Sequence, residues 1–192
     1  MTSDIHPDRS FMFLTESEAR TVEAIAERVF PADDHGPGAR GVDAIIYIDR
    51  ALAGYGRPLH GLYRRGIAAL DAFVGERFGG STFSQLADDE QDKVLRQVEA
   101  LAPSVDENEQ AVLLVEFFGA VRLHTVEGIF CDPMYGGNRD AAGWKLIGFP
   151  GAQWGYSAEE MQPGYDATTI PIKTLADLRR DYLAAKDEGG KV

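Results

Sequence analysis

Residues 116–151, EFFGAVRLHTVEGIFCDPMYGGNRDAAGWKLIGFPG, decide how the chain folds. Their first part closes a helix predicted from about 109 to 130. Val112, Leu114, Val115, Phe117, Phe118, Val121, Leu123, Val126 and Ile129 put apolar side chains on nearly every side of it. A helix that is apolar all round is expected to be a central one, packed by neighbours. Advancing 100° per residue sets Glu116, Ala120, His124 and Glu127 on one flank. A buried carboxylate left without partners costs several kcal/mol by order of magnitude, so this polar flank needs a network. The expected arrangement is His124 bonding a glutamate, with Glu116, Glu127 and Asp132 completing a structural network. An acid–base pair or a set of metal ligands is the sharper alternative. No second helix offers the matching ExxH of a di-iron bundle, so the bracing network ranks ahead.

The second part of the stretch is dense in glycine and aromatic residues. Asp132-Pro133 opens a turn, and Gly136-Gly137-Asn138 tolerates positive φ. The GGN triplet is not a phosphate loop, since neither a preceding strand nor the GxxxxGK[ST] pattern is present. A short helix is expected from Asp140 through Trp144 to Ile147, closed by Gly148 and Pro150. Beyond it, residues 151–173 carry Trp154, Tyr156 and Tyr165 among breakers, which predicts a long ordered loop wrapping the helices. Tyr135, Trp144, Phe149, Trp154 and Tyr156 have the composition of a protein interface, where tyrosine and tryptophan are favoured anchors.

Towards the N-terminus the pattern is helical throughout. Thr15-Glu-Ser-Glu18 has capping-box spacing and starts a helix that Pro31 ends. The loop 31–41, PADDHGPGARG, is built from turns. Its adjacent Asp33, Asp34 and His35 read as solvated turn residues, because three neighbours in a row rarely converge on one ion. Apolar spacing predicts further helices from Asp43 to about Gly54, from 58 to 78, and from Asp88 to before Pro103, with a short Thr82–Gln85 turn between the last two. A polar connection, 103–109, leads to the central helix. Thr174-x-x-Asp177 opens a last helix carrying Leu175, Leu178 and Tyr182. The fold class expected is all-α: one domain of six or seven helices, 15–186, around a buried central helix, with a long irregular segment after it. Residues 1–14 read as a flexible arm and 187–192 as a frayed tail.

Bulk properties exclude several function classes. The 192 residues carry 31 acidic against 19 Lys and Arg side chains, a formal charge of −12. Nucleic-acid binding needs clustered basic residues, and adhesion to anionic lipid does too. The single cysteine, Cys131, precludes an internal disulfide and an iron–sulfur cluster held by this chain alone. No apolar run approaches the roughly 18 residues of a membrane span, so no direct membrane insertion is expected.

Phe117, His124-Thr-x-Glu127-Gly128, Asp132-Pro-x-Tyr-Gly-Gly-Asn138, Gly143-Trp144 and Gly148-x-Pro-Gly151 together resemble the gluconate 2-dehydrogenase subunit 3 family. Val29-Phe30-Pro31, Gly36-Pro37-Gly38, Tyr47-Ile48-Asp49, Leu62-Tyr63 and Phe83-x-x-Leu86 agree with it, so the resemblance spans about residues 15–152. It implies a non-catalytic small subunit of a sugar dehydrogenase complex. FAD would sit in a large catalytic subunit of the glucose–methanol–choline type, and a cytochrome subunit would take the electrons. The small subunit would assist folding, flavin loading and export of its partner, and Asn138 would join the aromatic residues at the partner interface. This chain has no GxGxxG fingerprint, so no cofactor of its own is expected. The family implies the periplasm, whereas the N-terminal MTSDIHPDRS shows no twin-arginine leader and leaves the cytoplasm open. A helical scaffold unrelated to redox chemistry is the runner-up. An independent enzyme using Glu116, His124 and Glu127 comes third.

Overall fold

A computed structural model describes residues 10–101 and 108–189. Seven α-helices follow in order: α1 Glu16–Val29, α2 Ala44–Ala53, α3 His60–Gly75, α4 Asp88–Ala100, α5 Glu109–Phe130, α6 Ala142–Ile147 and α7 Leu175–Gly189. Among the described residues there is no strand, only isolated bridges at Asp33–Gly36 and Gly151–Lys173. The all-α, single-domain expectation is met, and the predicted helix ends agree to within a few residues.

The local chemistry behind those ends is visible. Glu18 N donates to Thr15 Oγ1 at 3.3 Å while Thr15 N donates to Glu18 Oε2 at 2.8 Å, the reciprocal pair of a capping box. Gly79 and Gly80, at φ 64° and 87°, let the chain reverse after α3. Asn108 caps α5 by accepting from the Gln110 and Ala111 amides.

α5 touches α1, α2, α3, α4 and α6. Its buried side carries Leu114, Phe117, Phe118, Val121 and Ile129. The first four share a core with Val22 and Ile25 of α1, Ile45, Ile48 and Leu52 of α2, Tyr63 and Leu70 of α3, and Val94 of α4, while Ile129 belongs to a smaller cluster with Ala26, Ala39, Val42 and Ala44. Each such side chain contributes about 1.5–3 kcal/mol when fully buried. α3 crosses closely because residue 66 is glycine: a Cβ there would stand 2.3 Å from Phe117 Cγ.

The sequence pattern overstates one point about α5. Its neighbours do not encircle it. Leu123 and Val126 remain 59% and 47% exposed, Glu116 is exposed, and a Cβ placed on Gly119 would meet nothing within 4 Å. These positions share one stripe of the helix, opposite Leu114, Val121 and Thr125. Apolar residues on every side thus coexist with one uncovered face.

Residues 1–9 of the expected arm, the 102–107 part of the polar connection and residues 190–192 of the tail lie outside the described residues. Residues 11–14 are tied to the domain. The amides of Met12, Phe13 and Leu14 all donate to the Asp49 carboxylate at 2.6, 3.0 and 2.9 Å. The Phe13 ring stacks on His60 with centroids 3.9 Å apart, and the Arg64 guanidinium covers it.

The irregular segment after α6 also departs from expectation. It is pinched at its base, where Ala152 N donates to Lys173 O at 2.7 Å and Lys173 N to Pro150 O at 3.1 Å. Between those points Ile170 is buried, but residues 154–159 and 161–164 are exposed. The loop does not wrap the helices. Trp154, Tyr156 and Met161 stand exposed along it.

Candidate functional site

Glu127 and His124 lie where α5 meets α2 and α3, and three tyrosines complete the cluster. The hydroxyls of Tyr47, on α2, and Tyr55, just after it, donate to Glu127 Oε2 at 3.0 and 2.9 Å. The two hydroxyls are 3.1 Å apart. Tyr63 of α3 places its hydroxyl 2.8 Å from His124 Nδ1, and the two rings stack with centroids 5.8 Å apart. Tyr55 meets the same imidazole edge-on. Burial pushes the Tyr47 and Tyr63 hydroxyls far above their ordinary range, and the Glu127 carboxylate adds to it. They therefore remain protonated donors. Burial lowers the His124 pKa against the opposing pull of Glu127, which keeps the imidazole neutral. A neutral histidine paired with one phenol and a carboxylate accepting from two others form a hydrogen-bonded brace across three helices.

The network expected from sequence is therefore only half assembled. His124 and Glu127 belong to it. Glu116 does not: it is solvent-exposed and lines an open cleft with Arg65, Glu109 and Gln110. Its position on α5 falls within the uncovered stripe, whereas His124 sits further round towards the core. Asp132 is buried but acts elsewhere. Its two oxygens accept from Met134 N at 3.0 Å and Leu175 N at 2.7 Å, tying the turn after α5 to the start of α7. Sequence spacing does not find the three tyrosines of the network: Tyr47 and Tyr63 lie on helices, where a tyrosine reads as core, Tyr55 lies in the turn after α2, and neither setting shows where a hydroxyl ends. Among the described residues no group of three or more His, Cys, Asp or Glu is gathered as a metal would require.

Two residues expected at a partner interface are structural. Asn138 is fully buried in a left-handed conformation, φ 47°. Its Nδ2 donates to Cys131 O at 2.7 Å and its Oδ1 accepts from Gly143 N at 2.8 Å. Trp144 is buried, its Nε1 donating to Phe130 O at 2.7 Å and its ring meeting Phe149 edge-on. Both close the carbonyl end of α5, where the last C=O groups lack helical partners. Cys131, in the same junction, has its thiol pushed up to about 11 by burial. The other expected interface residues, Tyr135, Phe149, Trp154 and Tyr156, are exposed. Composition did not single out the aliphatic residues exposed beside them, Leu146, Ile147, Met161 and Leu183.

The neutral His124 makes stability depend on pH in a definite direction. Its folded pKa lies below the ordinary 6.5, so the unfolded chain binds the proton more readily. The contribution is complete above pH 6.5 and is lost as pH falls below that value. Urea midpoints measured across this window should fall towards acid, and His124→Gln should flatten that part of the slope. An unchanged slope would mean that His124 is not the group responsible.

Residues 16–151 match the family model described as gluconate 2-dehydrogenase subunit 3. The matched span begins with α1, includes the brace and the Asn138–Trp144 junction, and stops at the base of the exposed loop. Comparison with curated proteins finds no match, and comparison with solved structures finds none either.

Proposed function

The chain belongs to the gluconate 2-dehydrogenase subunit 3 family, and from that premise we propose that it is the non-catalytic small subunit of an FAD-dependent sugar or sugar-acid dehydrogenase. Its partner is a large subunit of the glucose–methanol–choline type, which holds the flavin and oxidises the substrate. This chain assists the folding and flavin loading of that partner, and a cytochrome subunit accepts the electrons. The supporting observation is the surface of the last third of the chain. Phe149, Trp154, Tyr156, Met161, Tyr182 and Leu183 are all exposed there, and every residue from 181 to 187 of α7 is exposed as well. Large apolar side chains left exposed along one stretch of chain are the kind that a protein-binding surface presents. Burying them against the folded large subunit stabilises its flavin-competent state by mass action.

Co-expression with the candidate large subunit, followed by gel filtration read at protein and flavin absorbance, tests the reading. The expected result is one co-eluting flavin-bearing peak, and little soluble flavoprotein when this chain is omitted. Separate peaks with a flavoprotein that matures unaided would overturn it. Within such a complex, Trp154→Ser with Tyr156→Ser should weaken association by about tenfold or more while leaving the thermal midpoint of the isolated chain unchanged. Undiminished affinity of that double variant would remove the loop from the interface.

A further inference from the structure

The uncovered stripe of α5 has its own chemistry. Gly119, Leu123 and Val126 follow at helical spacing along it, and Glu127 borders it. Tyr55, 65% exposed, stands against Glu127 on the same side. The surface is thus an apolar ridge ending at a half-buried carboxylate and an exposed phenol ring. Among the described residues, Tyr47 and Tyr55 occupy Glu127 Oε2, no hydrogen bond engages Oε1, and Glu127 forms no ion pair. Phenol donors orient the carboxylate but leave its charge uncompensated. A carboxylate with an apolar rim is a poor resting surface in water and a good receptor for a cation that brings its own apolar neighbours.

Resting on the subunit reading above, we propose that this ridge is a second docking surface for the catalytic subunit, and that its occupant is an arginine flanked by apolar side chains. Charge complementarity selects a cation. The geometry selects arginine over lysine. A planar guanidinium can donate to Glu127 Oε1 and lie against the exposed face of the Tyr55 ring, which a compact ammonium does less well. The flanking apolar side chains cover Leu123 and Val126 and exclude water from the pair, the setting in which a charged hydrogen bond contributes most to an interface. The ridge lies within the matched span 16–151, whereas Trp154, Tyr156 and α7 lie beyond it. The complex would therefore be held at two places with different chemistry.

The test is the dissociation constant of the purified flavin-bearing large subunit for wild type and two variants. Glu127→Gln keeps an acceptor for the tyrosine hydroxyls while removing the charge. Leu123→Ser changes only the solvent side of α5. Each should weaken binding by about tenfold or more, and Glu127→Gln should reduce its dependence on salt. The thermal midpoint of Leu123→Ser should match wild type, and Glu127→Gln, which weakens the tyrosine brace, should melt lower yet stay folded at the assay temperature by circular dichroism, separating an interface effect from misfolding. If wild type binds and both variants bind equally well, this inference falls alone. If Leu123→Ser weakens binding but Glu127→Gln does not, the arginine is wrong. If wild type forms no complex, the subunit reading falls and takes this one with it.

Discussion

Gly137→Ala is expected to destabilise the chain by about 3 kcal/mol or more, the upper range for forcing a methyl group into packed structure. A Cβ at residue 137 would stand 2.1 Å from the Gly128 carbonyl oxygen and 2.9 Å from its carbon. Both are backbone atoms of α5, so no side-chain rotamer relieves the clash. The helix cannot retreat either, because Gly128 itself lies against Ala44 of α2, with contacts of 3.1 to 3.3 Å to a Cβ placed there. The neighbouring Gly136→Ala is a useful contrast. Its φ is 103°, so the substitution is strained, but the nearest atoms, the Arg50 guanidinium and Ile46 Cγ2, belong to side chains rather than backbone. That variant should lose about 1–2 kcal/mol, mostly from backbone conformation. Urea unfolding of the two variants separates steric from conformational cost. A Gly137→Ala protein within about 1 kcal/mol of wild type would show that the turn after α5 can yield, contrary to this packing.

Asp49→Ala should cost about 3–5 kcal/mol and free the segment before α1. Asp49 is 2% exposed and its carboxylate accepts three successive backbone amides. Hydrogen bonds to a charged acceptor contribute about 1.5–3 kcal/mol each, and an amide left buried without a partner is costly. Met12 and Phe13 can regain water, so the three losses do not add fully. Leu14 is buried and cannot. Asp49→Asn keeps the shape but turns one acceptor into a donor facing an amide, and should recover only part of the loss. Limited proteolysis gives the decisive reading, with early cleavage before Glu16 in Asp49→Ala and not in wild type. Identical digestion patterns would show that Phe13 on His60 and the buried Leu14 hold the segment unaided.

Helix ends were legible in the sequence because their causes are local. Thr15 with Glu18 and the glycines after α3 act within a few residues, and the structure places those boundaries as the spacing predicts. The α5 junction was legible in part. The glycines and Asn138 mark unusual backbone, but the spacing cannot show that Asn138 and Trp144 turn inward to close α5 rather than outward to a partner. Trp144 and Phe149 illustrate the gap. Both are aromatic residues in the same short run, yet one is buried and the other is not, because Trp144 lies on the side of α6 that faces the carbonyl end of α5, whereas Phe149 follows the helix, beyond its Gly148 cap.

The same distinction governs the polar cluster. The 3.6-residue repeat of α5 groups Glu116, His124 and Glu127 on one flank, and no more than that follows from one helix. Which of them is buried depends on where α2 and α3 stop covering α5. Those helices reach His124 and Glu127 and leave Glu116 in water. The sequence by itself determined the helical class, the helix boundaries and the family, since propensity, capping and motif spacing operate over short stretches of chain. Tertiary structure decided the partners of Glu127, the inward turn of Trp144 and the open face of α5, because burial depends on neighbours distant in sequence, and apolar residues on every side of a helix do not show which side a neighbour will cover.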